Sequence, residues 1–146
     1  TIVNVSSWAG RLAMAGNGAF AGSKSALEAM TDALRGEVNR LGIDVVLVEP
    51  GPVTVGSDER RAAVRDPGEQ TSVYGDIYDM YGDARTLRWM GSVSTDAVAS
   101  SVLQAATDAN PDARYTVGRA AKLATLFRFV PDRFRDSLSN IVRWLT

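Results

Sequence analysis

Two short runs of β-branched and apolar residues, Ile2-Val3-Asn4-Val5 and residues 43–48, flank one long segment with helical spacing, and this arrangement constrains the chain more than any other feature. Between them Leu27, Met30, Leu34, Val38 and Leu41 recur at intervals of three and four, and Gly42 is placed to stop the turn. The second run is broken only by Asp44 and closes on Glu49-Pro50-Gly51-Pro52, which suits a strand covered on both faces. Strand, helix, strand is a right-handed crossover unit whose strands lie parallel. In sheets of this kind ligands bind outside the carboxyl ends of the strands. Ser6-Ser7-Trp8-Ala9-Gly10 and Pro50-Gly51 fall there.

From residue 57 to residue 93 the periodicity weakens, and Tyr74, Tyr78 and Tyr81 gather near Trp89. This predicts a long excursion with short helical pieces, of the kind that forms a substrate lid. Ser94-Thr95-Asp96 supplies N-cap chemistry for a helix carrying Val98, Val102 and Leu103, and Arg114–Val117 reads as a last strand. Residues 119–146 read as two amphipathic helical pieces broken at Pro131. The predicted fold is α/β, a doubly wound parallel sheet in three layers. Two clear strands and one short one do not complete such a sheet, so residues 1–146 are expected to form the C-terminal portion of a single larger domain.

The 146 residues include no cysteine and no histidine. Thiol nucleophiles, thiolate metal sites, imidazole zinc sites and Ser-His-Asp catalysis are therefore excluded, and proton transfer falls to Asp, Glu, Lys, Tyr or a hydroxyl. Sixteen basic and seventeen acidic side chains leave a net charge of -1, which argues against a nucleic-acid partner. No apolar run is long enough to span a bilayer and no signal peptide is evident, so the expected location is the cytoplasm. Asn4-Val5-Ser6 spells a glycosylation acceptor and is read as chance. Residues 119–146 carry +4 against -5 for the remainder, interleaved with Leu123, Phe127, Phe129, Phe134 and Trp144. That pattern suits contact with an anionic membrane surface or a lipophilic substrate's entrance; the alternative, preferred here, is helices that cap the core.

IVNVSSWAG, SKSALEAMTDALRGEV and GIDVVLVEPGPV together resemble the C-terminal half of the short-chain dehydrogenase/reductase family, most strongly over residues 1–56. The resemblance implies a Rossmann-like fold, NAD or NADP as cofactor, and a small apolar alcohol or ketone as substrate. It also implies a Ser that holds the substrate oxygen, a Tyr that moves its proton, and a Lys that binds the nicotinamide ribose and lowers the Tyr pKa. Ser7 and Lys24 occupy the first and third positions, and Phe20 stands in the second. Phe keeps the ring and loses the exchangeable proton. Tyr74, Tyr78, Tyr81 or a relayed water would then have to act as donor.

Pro50, Gly51, Pro52, Val53 and Thr54 resemble the loop that wraps the nicotinamide, with Thr54 one residue earlier than the family's threonine. Ser7, Trp8 and Phe20 are the expected substrate contacts. Ser7 and Lys24 each also have a plainer reading, as a strand-end hydroxyl that satisfies backbone groups and a solvated helix lysine. The Gly-rich turn that cradles a pyrophosphate is absent, since Gly16, Gly18 and Gly22 come well after the first strand. Gly18 to Ser25 approaches a phosphate-binding P-loop but has Ser23 where Gly must precede the Lys. Two functions are carried forward, an oxidoreductase impaired or altered by Phe20, and a non-catalytic binding or dimerisation module. The resemblance makes the helix from Ser25 to Leu41 the candidate contact of a homo-oligomer.

Overall fold

The computed structural model describes residues 1–54 and 91–127, with positions 73, 75, 129–131, 133 and 134. Strand β1 (Ile2–Val5) leads through a 3-10 turn (Trp8–Gly10) to α1 (Gly18–Val38). There follow β2 (Val45–Pro50), β3 (Val53–Thr54), β4 (Val93–Ser94), α2 (Thr95–Thr107), β5 (Arg114–Val117) and α3 (Arg119–Phe127). The tyrosines at 74, 78 and 81, Trp89 and most of the expected 57–93 lid lie outside the described residues, as does the tail beyond Phe134.

The main sheet has the order β1-β2-β5 with all strands parallel, Val3 opposite Val46 and Val48 opposite Tyr115. This is the three-layer α/β arrangement predicted above. β2 is central and buried along its whole length, which is why it reads as a nearly unbroken apolar run. It starts two residues later than the apolar run does, yet the Asp44 carbonyl still accepts from Ile2 N at 2.7 Å.

Alternation along the strands divides the sheet into two unlike faces. Val46 and Val48 pack with Ala105, Val102, Val3, Tyr115 and Val117 under α2. Each fully buried valine contributes about 1.5–3 kcal/mol relative to exposure. The α1 face carries the buried Val45 and Leu47 and also Asn4, Ser6, Glu49 and Arg114; Asn4 meets Thr31 and Ser6 and Arg114 meet Glu28 of the helix, while Glu49 accepts from Arg114. Both faces bury apolar side chains, and the α1 face adds the polar contacts that set position.

The helix predicted from Leu27, Met30, Leu34, Val38 and Leu41 forms, but its buried face differs from that spacing. Ala21, Glu28 and Thr31 are the buried residues of α1, while Met30 is 69% exposed and Leu41 is also exposed. The sheet beneath carries Asn4, Ser6 and Arg114 beside Val45 and Leu47, so Thr31 and Glu28 turn inward to meet the polar groups and Met30 does not. Gly42, at φ 68°, ends the following 3-10 turn in the left-handed conformation that favours glycine. Ser94 caps α2 by accepting from Ala97 N at 3.2 Å.

One element has no counterpart in the sequence reading. β3 and β4 form a two-stranded parallel pair, with Val93 N donating to the Pro52 carbonyl at 2.8 Å. It joins the two ends of the segment between residues 54 and 93. α3 closes over the 3-10 turn, where Ala121 and Ala124 pack on Trp8, with Leu12 and Met14 at the margin. No helix among the described residues is long and apolar enough to cross a membrane.

Candidate active site

Backbone pairing brings β1 to its end at a defined place. Ser6 N donates to the Val48 carbonyl at 2.8 Å, and Ser7 is the first residue beyond the ladder. Ser7 is extended, at φ -163°, and buried, and its Oγ accepts from Ala9 N at 3.3 Å to cap the 3-10 turn. Lys24, in the second turn of α1, reaches back so that Nζ donates to the Val5 carbonyl at 3.1 Å. The same ammonium lies 5.7 Å from the centroid of the Phe20 ring, within cation–π range. Phe20 is 47% exposed. Ser7, Lys24 and Phe20 are thus gathered around the exit of β1.

The exit of β2 is packed differently. Gly51 N donates to the Val117 carbonyl at 2.8 Å, and a Cβ built at Gly51 would meet that oxygen at 3.4 Å and Ala120 Cβ at 3.5 Å. The close neighbours of Gly51 are therefore β5 and α3. Pro50 and Pro52 are buried and Val53 partly so, while Thr54 pairs through its backbone with Ser94. Trp8, an expected substrate contact, is 8% exposed and turned into the core under α3. Trp8 is a large indole beside a three-residue turn and finds its burial against the alanines of α3.

Sequence reasoning missed a cluster of charges beneath the β1 exit. Glu28 Oε2 pairs with Arg11 Nε at 2.8 Å and with Arg114 at 3.2 Å. Glu49 Oε1 accepts from Arg11 at 3.0 and 3.1 Å and from Arg114. Arg114 also reaches Asp32 at 2.5 Å, and Asp32 pairs with Arg35 at 2.7 Å. Arg35 in turn donates to the Val45 carbonyl at 2.7 Å. Among the described residues Glu49 Oε2 has no hydrogen-bond partner although it is buried. A signal for this cluster exists in the sequence. Lys24, Glu28, Thr31 and Arg35 recur at four, three and four, the spacing of one helix face, and Glu49 sits in an otherwise apolar run.

Burial, then the charge of Glu49, raises the Glu28 pKa above its ordinary 4.5, against the pull of Arg11, Ser6 and Arg114. Asp32 also feels burial, but the Arg35 hydrogen bond and the charge of Arg114 outweigh it and bring its pKa below 3.8. The two have opposite consequences for stability. Folded Glu28 retains a proton that the unfolded chain has released, so its contribution declines as pH rises from 4.5 through the raised value. Asp32 contributes above 3.8, and that contribution is lost as pH falls through its lowered value. Urea denaturation from pH 4 to 8 is expected to show the stability advantage of the parent over Glu28→Gln shrinking as pH rises. A pH-independent difference would contradict the raised Glu28 pKa.

Known proteins similar to this chain are short-chain dehydrogenases or reductases by name. Residues 1–66 match the family model for short chain dehydrogenase. Over these residues the chain is similar to the short-chain dehydrogenase family. It is 32% identical over 142 residues to the probable short-chain type dehydrogenase/reductase VdlC of Helicobacter pylori, covering 97% of this chain and 52% of that protein. It is 30% identical over 138 residues to the NADPH-dependent 3-dehydrocapnine reductase of Ornithobacterium rhinotracheale, covering 94% and 48%. A crystal structure of a short-chain dehydrogenase from Streptomyces avermitilis superposes with a TM-score of 0.60 at 25% identity, covering 94% of this chain and 48% of that one. The chain spans about half the length of the curated relatives it matches.

A nicotinamide dinucleotide would meet a partial set of groups on this chain. The Lys24 ammonium carries three donors and its bond to Val5 uses one, beside the exposed Phe20 ring. Those groups suit a ribose and a flat ring. Among the described residues no Gly-rich turn joins a strand directly to a helix, so a pyrophosphate has no cradle here. The donor set fits the nicotinamide riboside end.

Proposed function

We propose that the protein carrying this chain is an NAD(P)(H)-dependent oxidoreductase acting on the carbonyl or alcohol carbon of a small apolar molecule. The carrying observation is the convergence of the Lys24 ammonium, the Phe20 ring and the Ser7 turn at the end of β1. Ser7 holds the substrate oxygen and Lys24 holds the ribose hydroxyls. The bound nicotinamide supplies or accepts the hydride. The proton of the substrate oxygen does not come from position 20, because a phenyl ring has no O–H. It reaches the oxygen through water or a hydroxyl from elsewhere in the protein, and the reaction is slow for that reason. Pro50, Gly51, Pro52, Val53 and Thr54 wall the nicotinamide from the β2 side.

A second reading is favoured by Phe20 itself. A site without its proton donor suits a non-catalytic binding module, and the outward face of α1, with Ala26, Ala29, Met30 and Ala33 exposed, suits contact with a second copy. One set of measurements on the full-length protein separates the two. Fluorescence titration with NADH and NADPH is expected to give saturable binding that weakens at least tenfold in Lys24→Met, with turnover detectable across a panel of ketones and alcohols. Binding without turnover, from a species that sediments as a dimer, would select the second reading. Absence of dinucleotide binding by the parent would overturn the first.

A further inference from the structure

Glu28 lies on α1 one helical turn beyond Lys24 and is only 6% exposed. Its Oε1 accepts from Ser6 Oγ at 3.0 Å and its Oε2 holds Arg11 Nε at 2.8 Å. Ser6 and Arg11 are the two ends of the short segment that carries Ser7. Gly10, inside that segment, lies directly against the carboxylate. A Cβ at Gly10 would stand 2.3 Å from Glu28 Oε1 and 3.1 Å from Ser6 Oγ, so only glycine permits this approach. On either side of Glu28's grip, Lys24 donates to the Val5 carbonyl and Ser25 Oγ donates to the Gly10 carbonyl at 2.8 Å. Three side chains on adjacent positions of one helix arc therefore grasp residues 5–11.

Lys24 and Ser25 make their bonds at exposed positions, where water competes. The Glu28 bonds are buried, where hydrogen bonds to a charge are strong and directional. Buried ion pairs are poor sources of stability, since apolar residues of equal volume often do as well. What a buried carboxylate supplies that a leucine does not is a single permitted arrangement of its donors.

We propose that Glu28 is a positioning residue that locks the Ser7 turn onto α1, and so holds the Ser7 hydroxyl in register with the Lys24 ammonium on the same helix. The inference rests on the reading of Ser7 and Lys24 as the substrate and ribose groups. It assigns Arg11 and Gly10 to the same device, one as the charged donor and the other as the gap that admits the carboxylate. Glu28 itself touches neither substrate nor cofactor.

The test uses the full-length protein and its Phe20→Tyr form, with Glu28→Gln, Glu28→Ala, Gly10→Ala and the double variant Gly10→Ala/Glu28→Ala. Amide exchange at Ala9, Gly10 and Arg11 is expected to accelerate at least tenfold in Glu28→Ala beyond any change at Val46 and Val48. Glu28→Gln, which keeps the acceptor for Ser6, is expected to recover part of that protection. It also supplies the local readout if Glu28→Ala does not fold. Gly10→Ala is expected to loosen the turn strongly with the carboxylate present and weakly without it. In the Phe20→Tyr form, Glu28→Gln is expected to lower kcat several-fold while leaving dinucleotide affinity unchanged, because Lys24 stays in place on α1.

Turn amides that exchange no faster in Glu28→Ala and Glu28→Gln than in the parent would overturn the proposal. So would a Gly10→Ala effect of equal size with and without the carboxylate. A loosened turn with no change in kcat would instead leave the lock intact and refute the assignment of Ser7 to the substrate oxygen.

Discussion

Phe20→Tyr in the full-length protein is expected to raise turnover of a ketone or alcohol substrate by about 10²–10⁴-fold, the usual contribution of a positioned general acid. The ring already occupies its place in the first turns of α1, half exposed, with the Lys24 ammonium 5.7 Å from its centroid. A phenol oxygen adds one polar atom at a surface that water reaches, so the change carries little folding penalty. The neighbouring cation favours the phenolate and draws the tyrosine pKa down from its usual value near 10 toward the pH of assay. Steady-state kinetics with NADH and NADPH measure the gain, and a pH–rate profile for the variant should gain an ionisation that the parent lacks. Equal rates for parent and variant would show that position 20 does not face the reacting oxygen.

Glu49→Ala is expected to cost about 3–5 kcal/mol of folding stability, the range for removing one partner of a buried ion pair. Glu49 is 1% exposed on the central strand and accepts from both Arg11 and Arg114. Without it the Arg11 guanidinium, itself nearly buried, keeps among the described residues only Glu28 as a counter-charge. The truncated side chain also leaves a void between β2 and α1. Glu49→Gln preserves shape and an acceptor, and should cost clearly less. Guanidinium denaturation of the three proteins at neutral pH measures both differences. Equal stabilities for Glu49→Ala and the parent would mean that the cluster is screened by solvent and that its burial has no energetic weight.

These two predictions lie on opposite sides of what a linear reading reveals. Position 20 was legible because Ser7, Phe20, Lys24 and Pro50-Gly51 stand at separations that resemble the short-chain dehydrogenase/reductase pattern, and the strand-helix-strand unit brings those positions to its carboxyl edge. The Glu28–Arg11–Glu49–Arg114 cluster was not read, although its members sit at helix and strand periods. Charges at such periods more often face solvent, and only the pairing of β2 with β5 brings Arg114 within reach of Glu28 and Glu49.

By itself, the sequence determined the parallel β1-β2 unit, the helix between them and the cap at Ser94. All of these follow from local periodicity, turn chemistry and the handedness of crossovers, which act over a few tens of residues. Tertiary structure alone decided which face of α1 is buried, that Trp8 packs under α3, that β3 pairs with β4, and that Glu28 reaches the Ser7 turn. Those outcomes depend on which surfaces meet once the sheet assembles, and a buried charge is tolerated only where partners distant in sequence arrive to meet it.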